Sequence, residues 1–227
     1  MTVLVFDLDG TLVDTAGDLV GALNATLQLH GHAAVPEEIA RPHAGYGALP
    51  LLRLGLEYNG IAADDSLLTP MRARFLDHYA DNIAVISRPY PGAVDALDAL
   101  RSDGWRLAIC TNKAEALARL LLDALQLTPL FGAIIGGDTY AQPKPDARPV
   151  LGAIRRAGGE PAGSVMIGDT ATDIAAARSA SLPVIAVDFG YANVPVRDLG
   201  PDRVISHFSE LPDAVAALCR GTEAARA

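Results

Sequence analysis

The stretch VLVFDLDGT, residues 3–11, joins a continuous apolar run to two aspartates and a glycine. Four apolar residues in a row, rich in β-branched types, are typical of a strand that is buried on both faces. Asp7 and Asp9 follow the strand at once and are two residues apart, so on a continuing strand they would share a face. Gly10 then allows the chain to turn. The stretch predicts a central strand that carries two carboxylates at its carboxyl end.

Similar short apolar runs recur along the chain, with helical patterns between most of them. The predicted strands after the first are 107–110, 133–135, 165–167, 184–187 and a short one at 204–205. The predicted helices of this region are 93–100, 114–127 and 150–157, and another begins near Thr170. Alternating strands and helices predict an α/β fold, a Rossmann-like, doubly wound parallel sheet.

The region from about residue 15 to residue 88 has helical patterns but no buried-strand run. These patterns cover 19–29, 49–58 and 67–79. We therefore predict a catalytic core of residues 1–14 and 89–227 with an inserted helical cap domain of residues 15–88. The stiff segment 88–92, RPYPG, is expected to act as a hinge or domain crossing. The last residues, 221–227, are small or polar and are expected to be frayed.

Composition excludes several kinds of partner. The 227 residues carry a net charge of −9 and no cluster of Lys or Arg, which argues against nucleic acid. The sequence contains no run of about 18 apolar residues, so no membrane span is predicted. Met1 to Leu8 lacks the basic start of a signal peptide. Two cysteines without metal-ligand spacing favour a reduced, cytoplasmic protein with no zinc site.

Polar residues that follow the predicted strands define a candidate site, because the carboxyl ends of parallel strands meet at one edge of a sheet. They are Asp7 and Asp9, Thr111 and Asn112, and Asp169 with Asp173 one helical turn beyond it. Carboxylates do not gather in a half-buried cleft without a compensating cation, and Mg²⁺ prefers such oxygen ligands. Each residue alone would fit a helix cap or a surface position; the ordered set indicates a magnesium site.

The chemistry of these side chains suggests a role for each. Asp7 would attack phosphorus as nucleophile, and Asp9 would move protons as general acid and base. The predicted phosphate-binding set is Gly10, Thr111, Asn112 and Lys144, with backbone N–H groups of Asn112 and Lys113 at a helix start. Lys144, which lies between two prolines, would neutralise developing charge. Asp169 would hold the metal, and Asp173 would bind the metal or orient its waters.

The four motifs, in this order, resemble those of the haloacid dehalogenase superfamily. The motifs are DLDGTL at 7–12, TN at 111–112, KP at 144–145 and GDTxxD at 168–173. Within the superfamily the sequence is most similar to the phosphoglycolate phosphatase group, through TLVDT at 11–15, TNK at 111–113, GGDT at 136–139 and FGY at 189–191. The resemblance implies a Rossmann-like core, a helical cap, and Mg²⁺ held by Asp7, the backbone carbonyl of Asp9, and Asp169. Dehalogenases of the superfamily lack the second aspartate, so Asp9 favours phosphoryl transfer.

The expected activity is therefore Mg²⁺-dependent hydrolysis of a small phosphorylated metabolite through an aspartyl phosphate, with 2-phosphoglycolate as the favoured substrate. Two alternatives stay open: a phosphosugar mutase of the same superfamily, and a phospho-accepting signalling or binding domain. The inserted helices argue against the signalling domain, because receiver domains lack them. Tyr46 and Arg53 are the candidate cap residues for substrate contact, and we expect a monomer or a homodimer.

Overall fold

A computed structural model describes residues 1–224, and for residues 220–224 it describes the backbone alone. Its strands are β1 Val3–Phe6, β2 Val13–Asp14, β3 Arg88–Pro89, β4 Arg106–Cys110, β5 Ala133–Ile135, β6 Val165–Gly168, β7 Val184–Val187 and β8 Arg203–Ile205. Its α-helices are α1 Ala16–Leu29, α2 Glu37–Ala40, α3 Ala48–Tyr58, α4 Asp65–Asp81, α5 Ala93–Ser102, α6 Glu115–Ala124, α7 Ala147–Arg156, α8 Ala171–Ser179 and α9 Leu211–Ala224. Short 3₁₀ turns occupy 41–46, 128–130, 196–199 and 208–210.

Six strands form one parallel sheet in the order β5-β4-β1-β6-β7-β8. The prediction of an α/β, Rossmann-like parallel sheet is confirmed, and all six predicted strands are present within one or two residues of their expected ends. β1 lies inside the sheet: Val5 pairs with Ala108 of β4 on one side and with Met166 of β6 on the other. The strand with the two aspartates therefore has neighbours on both edges, which holds its carboxyl end in place.

Alternate side chains of β1 enter two separate hydrophobic cores. Leu4 and Phe6 join the core that α5, α6 and α9 cover, whereas Val3 and Val5 join the core that α7 and α8 cover. All four side chains are fully buried. A strand buried on both faces has no polar alternation, which is why this apolar run identified the centre of the sheet.

Helices α1 to α4 occupy the predicted cap region. The chain enters and leaves it through β2 and β3, which pair antiparallel, Val13 opposite Pro89 and Asp14 opposite Arg88. This ribbon was not predicted, because two residues are too few for a periodic pattern. Asp18, early in α1, fastens the return segment, since its carboxylate accepts hydrogen bonds from the Ser87 N–H (2.8 Å) and the Ser87 hydroxyl (2.6 Å).

The C-terminal helix α9 was also missed. It continues through Ala224, whereas residues 225–227, the end of the segment expected to be frayed, lie outside the described part of the chain. The apolar side chains Leu211 and Val215 are buried in the same core as Leu4 and Phe6, and α9 packs on α5 and β8, so it completes the cover of this face of the sheet. Among residues 1–224, no helix combines the length and the apolar character needed to cross a membrane.

Candidate active site

A small cavity of about 60 Å³ lies at the carboxyl ends of β1, β4 and β6. Most of the predicted site residues line it, together with two residues of the cap and two of the α8 region. The lining residues are Asp7, Asp9, Gly45, Tyr46, Thr111, Asn112, Lys144, Thr170, Thr172 and Asp173. The sheet therefore gathers side chains that are up to 166 residues apart in the sequence.

Two predicted site residues lie beside this cavity without lining it. Asp169 follows β6 and is fully buried. Gly10 packs against it: a Cβ at Gly10 would lie 2.6 Å from Asp169 Oδ2 and 2.7 Å from the ring of Tyr191, at a φ of +80°. No side chain fits there, so Gly10 allows the loop after β1 to approach Asp169.

Three carboxylates form a buried acidic cluster, defined here as Asp7, Asp169 and Asp173. One oxygen from each lies within 4.8 Å of the others. Burial, helped by the charge of Asp173, raises the pKa of Asp7 to about 7 and also raises the pKa of Asp169. A raised pKa means that the surroundings favour the neutral carboxyl group over the charged carboxylate. Carboxylate oxygens are the hard ligands that Mg²⁺ selects. The cluster therefore fits a divalent cation.

The ammonium group of Lys144 lies against the acidic cluster. Its ammonium lies 2.6 Å from Asp173 Oδ1 and 2.8 Å from Asp7 Oδ1. Burial opposes the charge, but Asp173 and Asp7 together raise the pKa of Lys144 above its ordinary value. The contact to Asp7 lacks the angles of a hydrogen bond, so the buried Asp7 Oδ1 has no hydrogen-bond partner among the described residues. Its close polar contact is therefore the ionic one to the Lys144 ammonium.

Asn112 fixes the position of Lys144 through its backbone. The Asn112 side chain accepts from the Lys144 N–H and donates to the Lys144 carbonyl, both at 3.0 Å. The N–H of Lys113 donates to the Thr111 hydroxyl at 3.1 Å, and α6 begins only at Glu115. The predicted phosphate cradle therefore precedes the helix instead of forming its first turn.

Asp173 already has hydrogen-bond partners at both oxygens. Oδ1 accepts a hydrogen bond from the Lys144 ammonium. Oδ2 accepts from the Thr170 N–H (3.1 Å) and the Thr170 hydroxyl (2.7 Å), which forms a capping box at the start of α8. A helix start favours a carboxylate through its free N–H groups. These contacts place Asp173 as a fixed partner of Lys144.

Asp169 is held by Thr11, whose hydroxyl donates at 2.7 Å, and by the Tyr191 N–H at 2.7 Å. The Tyr191 hydroxyl accepts from the N–H groups of Thr15 (2.6 Å) and Ala16 (2.8 Å), where α1 begins. Tyr191, the last residue of the FGY motif, is buried and links the acidic cluster to the first helix of the cap.

The Asp9 side chain lies outside the acidic cluster and has a separate set of partners. The Lys113 ammonium lies 2.8 Å from both of its oxygens, and the Thr15 hydroxyl donates at 2.7 Å. Lys113 also lies over the ring of Tyr79 in α4, 4.7 Å from its centroid. From sequence only the backbone of Lys113 was expected to take part; the TNK motif was the available signal for its ammonium.

The cap contributes Gly45 and Tyr46 to the cavity. Burial, and then the charges of Asp169 and Asp173, raise the pKa of Tyr46, so its hydroxyl stays a hydrogen-bond donor at neutral pH. Arg53 does not line the site: it donates to the Ala63 carbonyl (3.0 Å) and lies 3.6 Å from Asp65. Of the two candidate cap residues, the structure brings only Tyr46 to the cavity.

Comparison with known proteins agrees with this geometry. A family model described as haloacid dehalogenase-like hydrolase matches residues 4–187. A phosphoglycolate phosphatase of Agrobacterium fabrum is 46% identical over 93% of this chain and 91% of its own length, and one of Caulobacter vibrioides is 44% identical over 93% and 89%. A crystal structure described as a predicted phosphoglycolate phosphatase of Haemophilus somnus superposes with a TM-score of 0.87 at 28% identity, covering 94% and 97% of the two chains.

Proposed function

The chain belongs to the haloacid dehalogenase-like hydrolase family and is a phosphatase, and we propose that it hydrolyses a small phosphate monoester through a phosphorylated Asp7. The observation that carries the proposal is the position of Asp7, which lines a cavity of about 60 Å³ and has its carboxylate 2.8 Å from the Lys144 ammonium. A cavity of that size suits a phosphoryl group.

The proposed reaction has two displacements at phosphorus. In the first, the Asp7 carboxylate forms a bond to phosphorus while the ester P–O bond breaks, and Asp9 gives its proton to the departing alcohol oxygen. In the second, Asp9 takes a proton from water, the resulting hydroxide attacks phosphorus, and Asp7 leaves as carboxylate. Thr111 and Lys144 would bind the phosphoryl oxygens, and Lys144 would stabilise the charge that develops on them.

Mg²⁺ is the proposed cofactor. Asp7, Asp169 and the backbone carbonyl of Asp9 would hold it. Asp173, the third carboxylate of the cluster, would bind the ion directly or orient its waters. When bound, the ion would offset the negative charge of the carboxylates and of the phosphoryl group. The support is the acidic cluster itself, whose buried carboxylates have raised pKa values at Asp7 and Asp169.

The favoured substrate is 2-phosphoglycolate, which rests on the names of relatives that are 44–46% identical over nearly the whole chain. The division into a core of 1–14 and 89–227 and a cap of 15–88 remains a prediction, as do the cytoplasmic location and the monomeric or homodimeric state. The β2–β3 ribbon supports the division, because it places both crossings side by side.

The test is phosphate release from a panel of small phosphate esters, with Mg²⁺ or with a chelator. Asp7→Asn is expected to lose at least about 1,000-fold in kcat, because it removes the nucleophile. Asp95→Asn, a change at an exposed aspartate of α5, is the matched control and should match the unsubstituted protein. Turnover that persists in Asp7→Asn would overturn the covalent mechanism, and isomerised sugar phosphate in place of free phosphate would indicate the mutase.

A further inference from the structure

A second cavity, about 260 Å³, lies between the cap and the core next to the phosphate site. The two cavities share the lining residues Asp9, Gly45, Tyr46 and Asn112. The rest of the larger cavity is mainly apolar and includes Leu19, Leu49, Leu76 and Leu117. If the phosphoryl group occupies the small cavity, as the proposed function requires, the alcohol part of the substrate must lie in the large one. We call it the leaving-group chamber.

One face of α4 forms a wall of this chamber. Arg72, Phe75, Leu76 and Tyr79 all line it, at the spacing i, i+3, i+4 and i+7 that places side chains on one side of a helix. Phe75 and Tyr79 are buried and stack with ring centroids 6.4 Å apart. The same face therefore offers an aromatic surface near Asp9 and a guanidinium two turns away.

Three charged residues line the chamber: Asp9, Lys113 and Arg72. Asp9 and Lys113 form an ion pair with 2.8 Å between the charged atoms, so their opposite charges offset each other. Arg72 makes no hydrogen bond or ion pair with any described residue, unlike Arg41, which pairs with Asp14, and Arg53, which pairs with Asp65. Arg72 therefore leaves one unpaired positive charge at the solvent-exposed edge of a mainly apolar chamber.

We propose that Arg72 determines specificity by binding a carboxylate on the leaving alcohol of the substrate. This inference rests on the proposed function and narrows its substrate class to phosphate monoesters that carry a second anionic group. A guanidinium matches the two oxygens of a carboxylate with parallel N–H bonds. Arg72 is exposed, so the pair depends on these two hydrogen bonds and on charge, and the apolar lining gives no comparable partner to a neutral alcohol.

The experiment compares two substrates of nearly equal size, 2-phosphoglycolate and 2-hydroxyethyl phosphate. The first carries a carboxylate at the position where the second carries a neutral hydroxymethyl group. Arg72→Gln should lower kcat/KM for 2-phosphoglycolate about 10- to 100-fold, the effect of losing hydrogen bonds to a charged group, and leave 2-hydroxyethyl phosphate within about 2-fold. Arg72→Lys should keep part of the preference, since it retains the charge but not the fork.

Arg74→Gln is the matched control. Arg74 is also exposed and lies two residues further along α4, about 200° around the helix, so it faces away from the chamber. It should leave both substrates unchanged. An equal loss for both substrates in Arg72→Gln, or the same selective loss in Arg74→Gln, would overturn the assignment.

The behaviour of the unsubstituted protein separates failure of this inference from failure of the proposed function. Hydrolysis of both esters with equal kcat/KM would overturn carboxylate recognition while leaving the phosphatase mechanism in place. Hydrolysis of no ester at all would overturn the proposed function. Binding of 2-phosphoglycolate by calorimetry, with Asp7→Asn alone and with Asp7→Asn plus Arg72→Gln, gives a readout without turnover, and the second change should weaken binding by a similar factor.

Discussion

Lys113 and Asp9 form an ion pair from which water is largely excluded. Their side chains are 6% and 10% exposed, and the ammonium lies equally close to both carboxylate oxygens. Burial favours the neutral amine, yet Asp9 raises the pKa of Lys113 above its ordinary value. The pair therefore holds Asp9 in a single orientation, which a residue that must both give and take a proton requires.

Removing Lys113 should cost stability and activity together. Lys113→Met leaves the Asp9 carboxylate buried with the Thr15 hydroxyl as its remaining side-chain donor, and breaking a buried pair in this way costs about 3–5 kcal/mol. Urea unfolding should show the loss, and kcat should fall because Asp9 is no longer oriented.

A double-mutant cycle distinguishes pairing from packing. Asp9→Asn combined with Lys113→Met removes both charges, so it should destabilise less than Lys113→Met alone. If the free-energy costs of the two single changes simply add in the double variant, the pair contributes no coupling energy. The aliphatic part of Lys113 would then stabilise the protein by packing on Tyr79.

At the scale of elements, two loops fit together so closely that a methyl group would separate them. The loop after β5 lies against the loop after β4: a Cβ at Gly136 would overlap the Glu115 backbone, and one at Gly137 would overlap the Asn112 carbonyl. The Gly137 N–H also donates to the Lys113 carbonyl at 2.8 Å. The β5 loop therefore supports the loop that carries Thr111 and Asn112.

Gly137→Ala should therefore disturb the site from outside it. We expect a loss of about 1–3 kcal/mol in unfolding free energy from the forced overlap, and weaker binding of inorganic phosphate as the Asn112 loop shifts. Gly21→Ala is a control with the opposite sign: Gly21 is exposed in α1 with open space around it, so alanine should stabilise by about 0.5–1 kcal/mol. Equal stability changes in the two variants would contradict this account of the loops.

Apart from the C-terminal helix α9, the sequence predicted those elements whose patterns are longer than a turn. The buried strands and long helices satisfied that condition, and the order of motifs at strand ends located the acidic cluster because a parallel sheet brings those ends together. The β2–β3 ribbon was too short for any period. Arg72 was missed in favour of Arg53 because the helix patterns do not say which face of α3 or α4 meets the core.

Partners set by long-range contacts could not be predicted from spacing. The ammonium of Lys113 meets Asp9 across 104 residues, and Tyr191 joins Asp169 to the start of α1 across 175 residues or more. Local propensity carries no information on such pairs, since they depend on how the cap and the core pack.

For the whole molecule, the acidic cluster joins distant parts of the chain. Asp7 follows β1, whereas Asp169 and Asp173 follow β6, and the two strands are neighbours in the sheet. An ion bound there exists only in the folded protein, so it stabilises the fold by mass action. At a Mg²⁺ concentration 100 times its Kd the gain is about 2.7 kcal/mol, which raises the Tm of a protein of this size by about 5–10 °C.

Asp169→Asn tests this linkage. Because burial raises the pKa of Asp169, its charged form opposes folding when no metal is bound. Asparagine removes that charge and keeps an oxygen for Thr11 or Tyr191, so the metal-free Tm should stay within a few degrees or rise. The Mg²⁺-dependent increase should disappear in Asp169→Asn and persist in the exposed control Asp95→Asn. A Tm of the unsubstituted protein that ignores Mg²⁺ would mean that Lys144 alone balances the cluster, and the metal proposal would then be wrong even if phosphatase activity were intact.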